Sequence, residues 1–172
     1  MDEVEDVAVA PVPASDRPVL DRLLQLYLHD FSEFAPRGSP YGEVDAEGLF
    51  AYPPGLDGYW REPGHMPLLI RADGRVAGFA LVNRWPPLDA PLDHALAEFF
   101  VLRKYRRAGV GRRAAQALFS LYPGRWQVGV ASYNTPALSF WRMVARHLPS
   151  VEERLGTEGR WEGVVLCFEA GA

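Results

Sequence analysis

The chain has almost no cysteine and almost no lysine. Its single thiol, Cys167, excludes an internal disulfide. Because Cys167 lies in the apolar run Val164 to Phe168, it reads as a core side chain rather than a nucleophile. One lysine, Lys104, stands against 17 arginines, which is a bias of composition and not a functional signal. No apolar run approaches the roughly 20 residues needed to span a bilayer. The first residues, MDEVEDV, are acidic and do not make the basic start of a secretory signal. A formal net charge of −4 provides no basic field for nucleic acid or for an anionic membrane. Internal repeats and low-complexity segments are missing too. The remaining expectation is a soluble cytoplasmic chain of one domain, residues 1–172, whose 48% hydrophobic content suffices for a sizeable core.

The most informative stretch is Ala95 to Ala117. Ala95 to Leu102 is apolar and reads as a buried strand. Arg103-Lys104-Tyr105-Arg106-Arg107 follows, then Ala108-Gly109-Val110-Gly111. Beyond it, Val110, Ala114, Ala117, Leu118 and Leu121 recur at helical spacing. This is a strand, a basic glycine turn and a helix. The first backbone N–H groups of a helix have no partner within it, and their dipoles sum to partial positive charge. Glycines there admit a phosphate to the bare amides, and arginines attract it. A pyrophosphate fits on Arg107 to Arg112. Gly109 to Ala114 also fits the dinucleotide pattern G-x-G-x-x-A, but the polar residues before Gly109 spoil the tight turn. No acid follows in Gln127 to Tyr133 to hold a ribose. The phosphate loop that ends in Gly-Lys-Ser/Thr is absent.

The remaining elements follow from patterning. Val4 to Val12 reads as a strand. Ser15 or Asp16 caps a helix whose apolar face carries Leu20, Leu23, Leu24, Tyr27, Leu28 and Phe31. His29, near its end, reads as solvated. Phe34 to Gly64 is irregular, rich in proline, glycine, aromatics and acids, with a short helix expected around Asp45 to Tyr52. So many aromatics argue against disorder; they either cover the core or form a lid and wall for a substrate. Pro67 to Ile70 and Val76 to Val82 form a hairpin through Asp73-Gly74. Trp126 to Ala131 is the next strand. Thr135 caps a helix with Pro136 in its first turn. Val151 to Leu155 and Trp161 to Glu169 read as an antiparallel pair joined by Gly156 to Gly159. The sum is a mixed α/β fold.

Arg106-Arg107-Ala108-Gly109-Val110-Gly111 resembles the [RQ]-x-x-G-x-[GA] turn of the GCN5-related N-acetyltransferase (GNAT) superfamily. Phe99-Phe100-Val101 is similar to that family's fourth strand. Asn134, Ala137, Phe140 and Trp141 match its N-x-x-A-x-x-[FY]-[YFW] helix at the family's separation from the turn. The likeness covers roughly Met66 to Phe168. It implies the GNAT fold, a mostly antiparallel central sheet flanked by helices, with central strands that splay apart. It also implies acetyl-CoA as co-substrate and transfer of acetyl to a small-molecule or peptide amine. No metal, nucleic acid or membrane is implied, and a homodimer stays open. The alternative is a non-catalytic module of the same fold that only binds or senses acyl-CoA.

In the resembling enzymes the exposed strand edge bonds the pantetheine, a role that would fall here to Phe100, Val101 and Leu102. The turn from Arg106 through Ala108 and Val110 to Arg112 would hold the phosphates. Asn134 would bond the pantetheine, or else simply cap its helix. Phe140 and Trp141 would wall the cofactor. Glu98, the only acid of the central strand, stands where similar enzymes often place one and is the candidate base, although an edge-facing carboxylate in a solvated gap explains it equally. The family often has a tyrosine near the thiol at the position of Trp141. An indole is no proton donor at a useful pKa, so Tyr133 is the substitute acid to consider beside solvent.

Overall fold

The computed structural model describes residues 4–156 and 158–171. Among the described residues, seven strands form one sheet in the spatial order β1 (Val7–Pro11), β2 (Met66–Ala72), β3 (Arg75–Asn83), β4 (His94–Val101), β5 (Gly124–Ala131), β7 (Gly163–Ala170) and β6 (Glu152–Leu155). All neighbours run antiparallel except β4 and β5, which are parallel. Three α-helices accompany them: α1 (Arg17–Ser32), α2 (Val110–Leu121) and α3 (Thr135–Ala145). This is the mixed, mostly antiparallel architecture that the patterning and the resemblance called for.

The sheet separates two cores. On one face Leu20, Leu24 and Leu28 of α1 pack with Phe79, Leu81 and Phe100. On the other, Leu118 and Phe119 of α2 and Trp141 and Val144 of α3 pack with Val82, Leu96 and Phe99. Each fully buried side chain of this size contributes about 1.5–3 kcal/mol, so both faces are needed to hold the sheet. The β2–β3 hairpin turns through Asp73 (φ 48°) and Gly74 (φ 74°), the left-handed pair that matches strand twist. At Gly78 a Cβ would stand 1.9 Å from the Phe100 carbonyl oxygen, so only glycine lets β3 approach β4 this closely.

Two irregularities in β4 create the site. The β3–β4 register runs Leu81↔Glu98 and then Val82↔Leu96, which makes Ala97 an extra, bulged residue. Plain alternation would put Leu96 and Glu98 on the same face. The bulge keeps Leu96 on the α2–α3 face and turns Glu98 toward α1. Second, β4 pairs with β5 only from His94 to Leu96. Beyond Leu96 the two strands part, as the resemblance implied.

Several local expectations are corrected. The first strand is Val7–Pro11, shorter than Val4 to Val12. Asp16 holds the N-cap position of α1 without a side-chain bond to the helix; its carboxylate accepts the Ser15 hydroxyl instead. No helix forms over Asp45 to Tyr52. There the Asp45 carboxylate accepts the N–H groups of Glu47 and Leu49 at 2.9 and 3.0 Å, closing a tight loop with a bridge between Val44 and Phe50. Such a local side-chain bond competes with helix formation. A single 3₁₀ turn lies later, at Asp57–Trp60. The cap of α3 is Asn134, whose side-chain oxygen accepts the Ala137 N–H, so Thr135 is the first helical residue. Leu121 falls off the buried face of α2 and is 54% exposed. Part of the β6–β7 connection, Thr157, lies outside the described residues.

Candidate active site

Where β4 and β5 part, two pockets meet. The larger, about 740 Å³, runs from the α2 N-terminus along Phe99, Phe100 and Val101 to α3. The smaller, about 230 Å³, lies in the fork between Ala97–Phe99 and Val128–Ala131. Tyr27, Phe31, Phe99, Asn134, Ala137 and Trp141 line both. A molecule bound along the first therefore ends beside one bound in the second.

One end of the first pocket carries open backbone donors and arginines. Gly109 caps α2 with φ 75°; no side chain caps that terminus and no acid sits in its first turn. The first amide to find a helical partner is that of Arg113, which donates to Gly109 O at 3.0 Å. The N–H groups before it open into the cleft. Arg107 is held at φ 62°, a conformation costing a non-glycine residue about 1 kcal/mol. Arg107 and Arg112 both line this pocket, and neither side chain makes a hydrogen bond or ion pair among the described residues. Gly111 faces the Phe140 ring, 3.2 Å from where a Cβ would stand. Phe140 stacks on Phe99, and Trp141 meets Phe99 edge-on at 5.1 Å. Both rings line this cleft.

Arg106 is tied down within the protein. Its Nε donates to Val101 O at 2.8 Å and its guanidinium pairs with Asp30 at the end of α1. Arg103 binds the other carboxylate oxygen of Asp30. Burial opposes the Asp30 charge, but these bonds outweigh it and hold the carboxyl below its ordinary value. Leu102 is also committed, its N–H donating to Ala77 O at 2.8 Å. Antiparallel bonding alternates along a strand. Leu102 and Phe100 therefore turn their backbone groups toward β3, and Phe99 and Val101 turn theirs toward the fork. Of the three expected edge residues only Val101 presents an N–H there, with Phe99 as the unforeseen second.

The second pocket holds the unusual electrostatics. Glu98 lines it, with the Tyr27 hydroxyl bonded to one carboxylate oxygen and the Tyr52 hydroxyl to the other at 3.1 Å. Burial raises its pKa to about 7, although both phenols work in the opposite direction. Burial and the nearby Glu98 charge push the phenols of Tyr27 and Tyr52 upward. Tyr133 lies at the rim, 44% exposed, against Phe31. Burial, with Glu162 and Glu98 nearby, raises its phenol too. Asn134 stands at the junction of the pockets while its side-chain oxygen caps α3.

Sequence reasoning brought Glu98, Tyr133, Asn134 and Trp141 to one place and counted Tyr52 among the loop aromatics offered as a substrate wall, but it read Tyr27 as a core side chain and missed Tyr41. Tyr27 left a usable signal. A tyrosine within a leucine stripe buries a hydroxyl that needs a partner, and one acid in the neighbouring strand could supply it. Tyr41 and Tyr52 come from the irregular stretch, which is fixed to α1 by Gln25. That side chain donates to Phe50 O at 3.1 Å and accepts Phe50 N at 2.8 Å.

Comparison with known proteins places the chain in a family. The sequence matches the Acetyltransferase (GNAT) family over residues 20–144, and the chain belongs to that family. No curated protein matches it by sequence. Among solved structures it is similar to an acetyltransferase from Thermus thermophilus, with 20% identity, TM-score 0.63 and coverage of 96% of this chain and 97% of that one. It is also similar to PH1933 from Pyrococcus horikoshii OT3, with 16% identity, TM-score 0.65 and coverage of 97% and 100%. A third is the PaiA N-acetyltransferase of Thermoplasma acidophilum in complex with coenzyme A, with 11% identity, TM-score 0.61 and coverage of 96% and 99%. At these identities the likeness is one of fold.

Proposed function

We propose that this protein is an acetyl-CoA-dependent N-acetyltransferase that moves acetyl to a primary amine by direct attack in a ternary complex. The observation that carries the reading is Glu98: an enclosed carboxyl near pKa 7, oriented through both oxygens, in a pocket that opens onto an anion-binding cleft. A base works best when its pKa lies near the operating pH. A module that only binds acyl-CoA has no use for such a group.

The cleft fits the co-substrate. The open amides of Gly109 to Arg112, with Arg107 and Arg112, suit a pyrophosphate. The fork-facing backbone of Phe99 and Val101 suits pantetheine amides, and Phe140 and Trp141 cover its apolar stretches. When bound, the thioester supplies an activated acyl carbon.

The chain's own residues then have separable tasks. Ionised Glu98 takes a proton from the acceptor ammonium, directly or through water. Tyr27 and Tyr52 fix the direction of its lone pairs. The Val101 N–H, on the open edge, is a donor for an oxygen that gains charge. Tyr133 is a poor acid for the departing thiolate. Its phenol is raised above its ordinary value of about 10, whereas a thiol sits near 8.5, so the transfer runs uphill. Solvent protonation serves instead. The test is release of free thiol when the purified protein is mixed with acetyl-CoA and a panel of primary amines. Amine-dependent release supports the reading, and its absence with bound acetyl-CoA overturns it.

A further inference from the structure

We infer that the acceptor is a small monoamine with an uncharged, apolar or aromatic tail, taken up as its ammonium; this rests on the acetyl-transfer reading above. The acceptor pocket, about 230 Å³, is smaller than the ~300–1,000 Å³ sites that enclose drug-sized ligands. Its lining contains one carboxyl, Glu98, and no arginine or lysine. The rest of the wall is largely aromatic. Tyr27 and Tyr52 flank the carboxyl at the closed end. At the mouth Phe31 stands between Tyr41 and Tyr133, with ring centroids 6.4 and 6.1 Å away.

This distribution of charge selects among amines. A single ammonium finds one counter-charge and the electron-rich faces of phenol rings. A polyamine would leave its further ammonium groups without a second counter-charge in this lining, which is costly. A free α-amino acid would bring a carboxylate into a pocket whose one charge is already negative. A peptide N-terminus would bring an extended chain into a pocket of only about 230 Å³. Outside this lining, Glu162 acts on Tyr133, and Asp30 and Glu33 line the adjoining pocket.

The experiment measures kcat/KM at saturating acetyl-CoA for 2-phenylethylamine and n-hexylamine against spermidine, glycine and a short peptide with a free N-terminus. The monoamines should lead each competitor by at least about tenfold, the scale on which one mismatched group is discriminated. Tyr41→Glu, which adds a second carboxylate at the mouth, should narrow or invert the preference over spermidine. Glu162→Gln should leave the monoamine rates unchanged. Spermidine, glycine or the peptide matching the monoamines in the native protein would overturn the inference. So would a lack of monoamine turnover while calorimetry shows acetyl-CoA bound. Failure of acetyl-CoA to bind would remove the transferase reading itself and this inference with it.

Discussion

The end of the cleft proposed for the cofactor is built from chain neighbours, residues 107 to 112, whereas the end proposed for the acceptor gathers Tyr27, Tyr41, Tyr52, Glu98 and Tyr133 from α1, the irregular stretch, β4 and the turn after β5. The first works with solvent-accessible cations and bare amides. The second works with one half-buried carboxyl whose pKa is raised by its surroundings. Short-range chain geometry is enough to make an anion cradle, because a glycine turn before a helix dictates where the amides point. Tuning a carboxyl takes the whole fold: a bulge to aim it, a helix to cover it and a pinned loop to close the pocket.

The largest effect that separates the two ends is expected from Glu98→Gln. Loss of a general base costs about 10²–10⁴ in rate, so turnover at neutral pH should fall by that much with acetyl-CoA affinity unchanged in calorimetry. A matching loss of affinity would mean that the two ends are not independent.

The same substitution should alter stability in the opposite sense. Glu98 has a folded pKa of about 7, raised above its unfolded value of about 4.3. Its protonated form is therefore favoured by folding. That contribution is complete below about pH 4.3 and is lost as pH rises through 7. At about 1.4 kcal/mol per pKa unit, the native protein should lose roughly 3 kcal/mol across that window, and Glu98→Gln should not. Thermal melts at pH 8 should show the variant to be the more stable; equal slopes with pH would refute the shift.

At the other end, Gly111→Glu puts a carboxylate on the helix N-terminus where a phosphate belongs. Hydrogen bonds to charged groups are worth about 1.5–3 kcal/mol, so affinity for coenzyme A should fall about 10–100-fold. Gly111→Ala is the control for the Cβ contact with Phe140 at 3.2 Å and should lose much less. The smallest effect is expected from Tyr133→Phe, under about tenfold in turnover, because a raised phenol is a poor donor to a thiolate. A loss of 10² or more would make Tyr133 the acid after all.

The contrast also explains what could be read from sequence. The turn, its helix, the hairpin at Asp73-Gly74 and the Asn134 motif are local, and each carries its own signature. The family likeness extended those signatures to a fold. Arg106 shows the limit: it matches the motif, yet Asp30, distant in sequence, claims its guanidinium. Glu98 stood out only as the one acid in an apolar strand. Its facing depended on a bulge whose position follows from strand pairing, not from composition. Tyr41 and Tyr52 lie in a stretch without periodicity, where the Gln25–Phe50 clamp, the Arg17–Asp57 ion pair and the Phe31–Tyr41 ring contact bring the loop onto α1.

The central claim is that Glu98 titrates near neutrality because it is buried, with Tyr27 and Tyr52 restraining the shift. The most direct test is the pH dependence of kcat/KM for the acceptor, measured in the native protein and in Tyr52→Phe. The native profile should rise with a midpoint near 7. In Tyr52→Phe, removal of a bond that stabilises the carboxylate should move that midpoint upward. A native midpoint in the ordinary carboxylate range near 4, or the same midpoint in both proteins, would contradict the account.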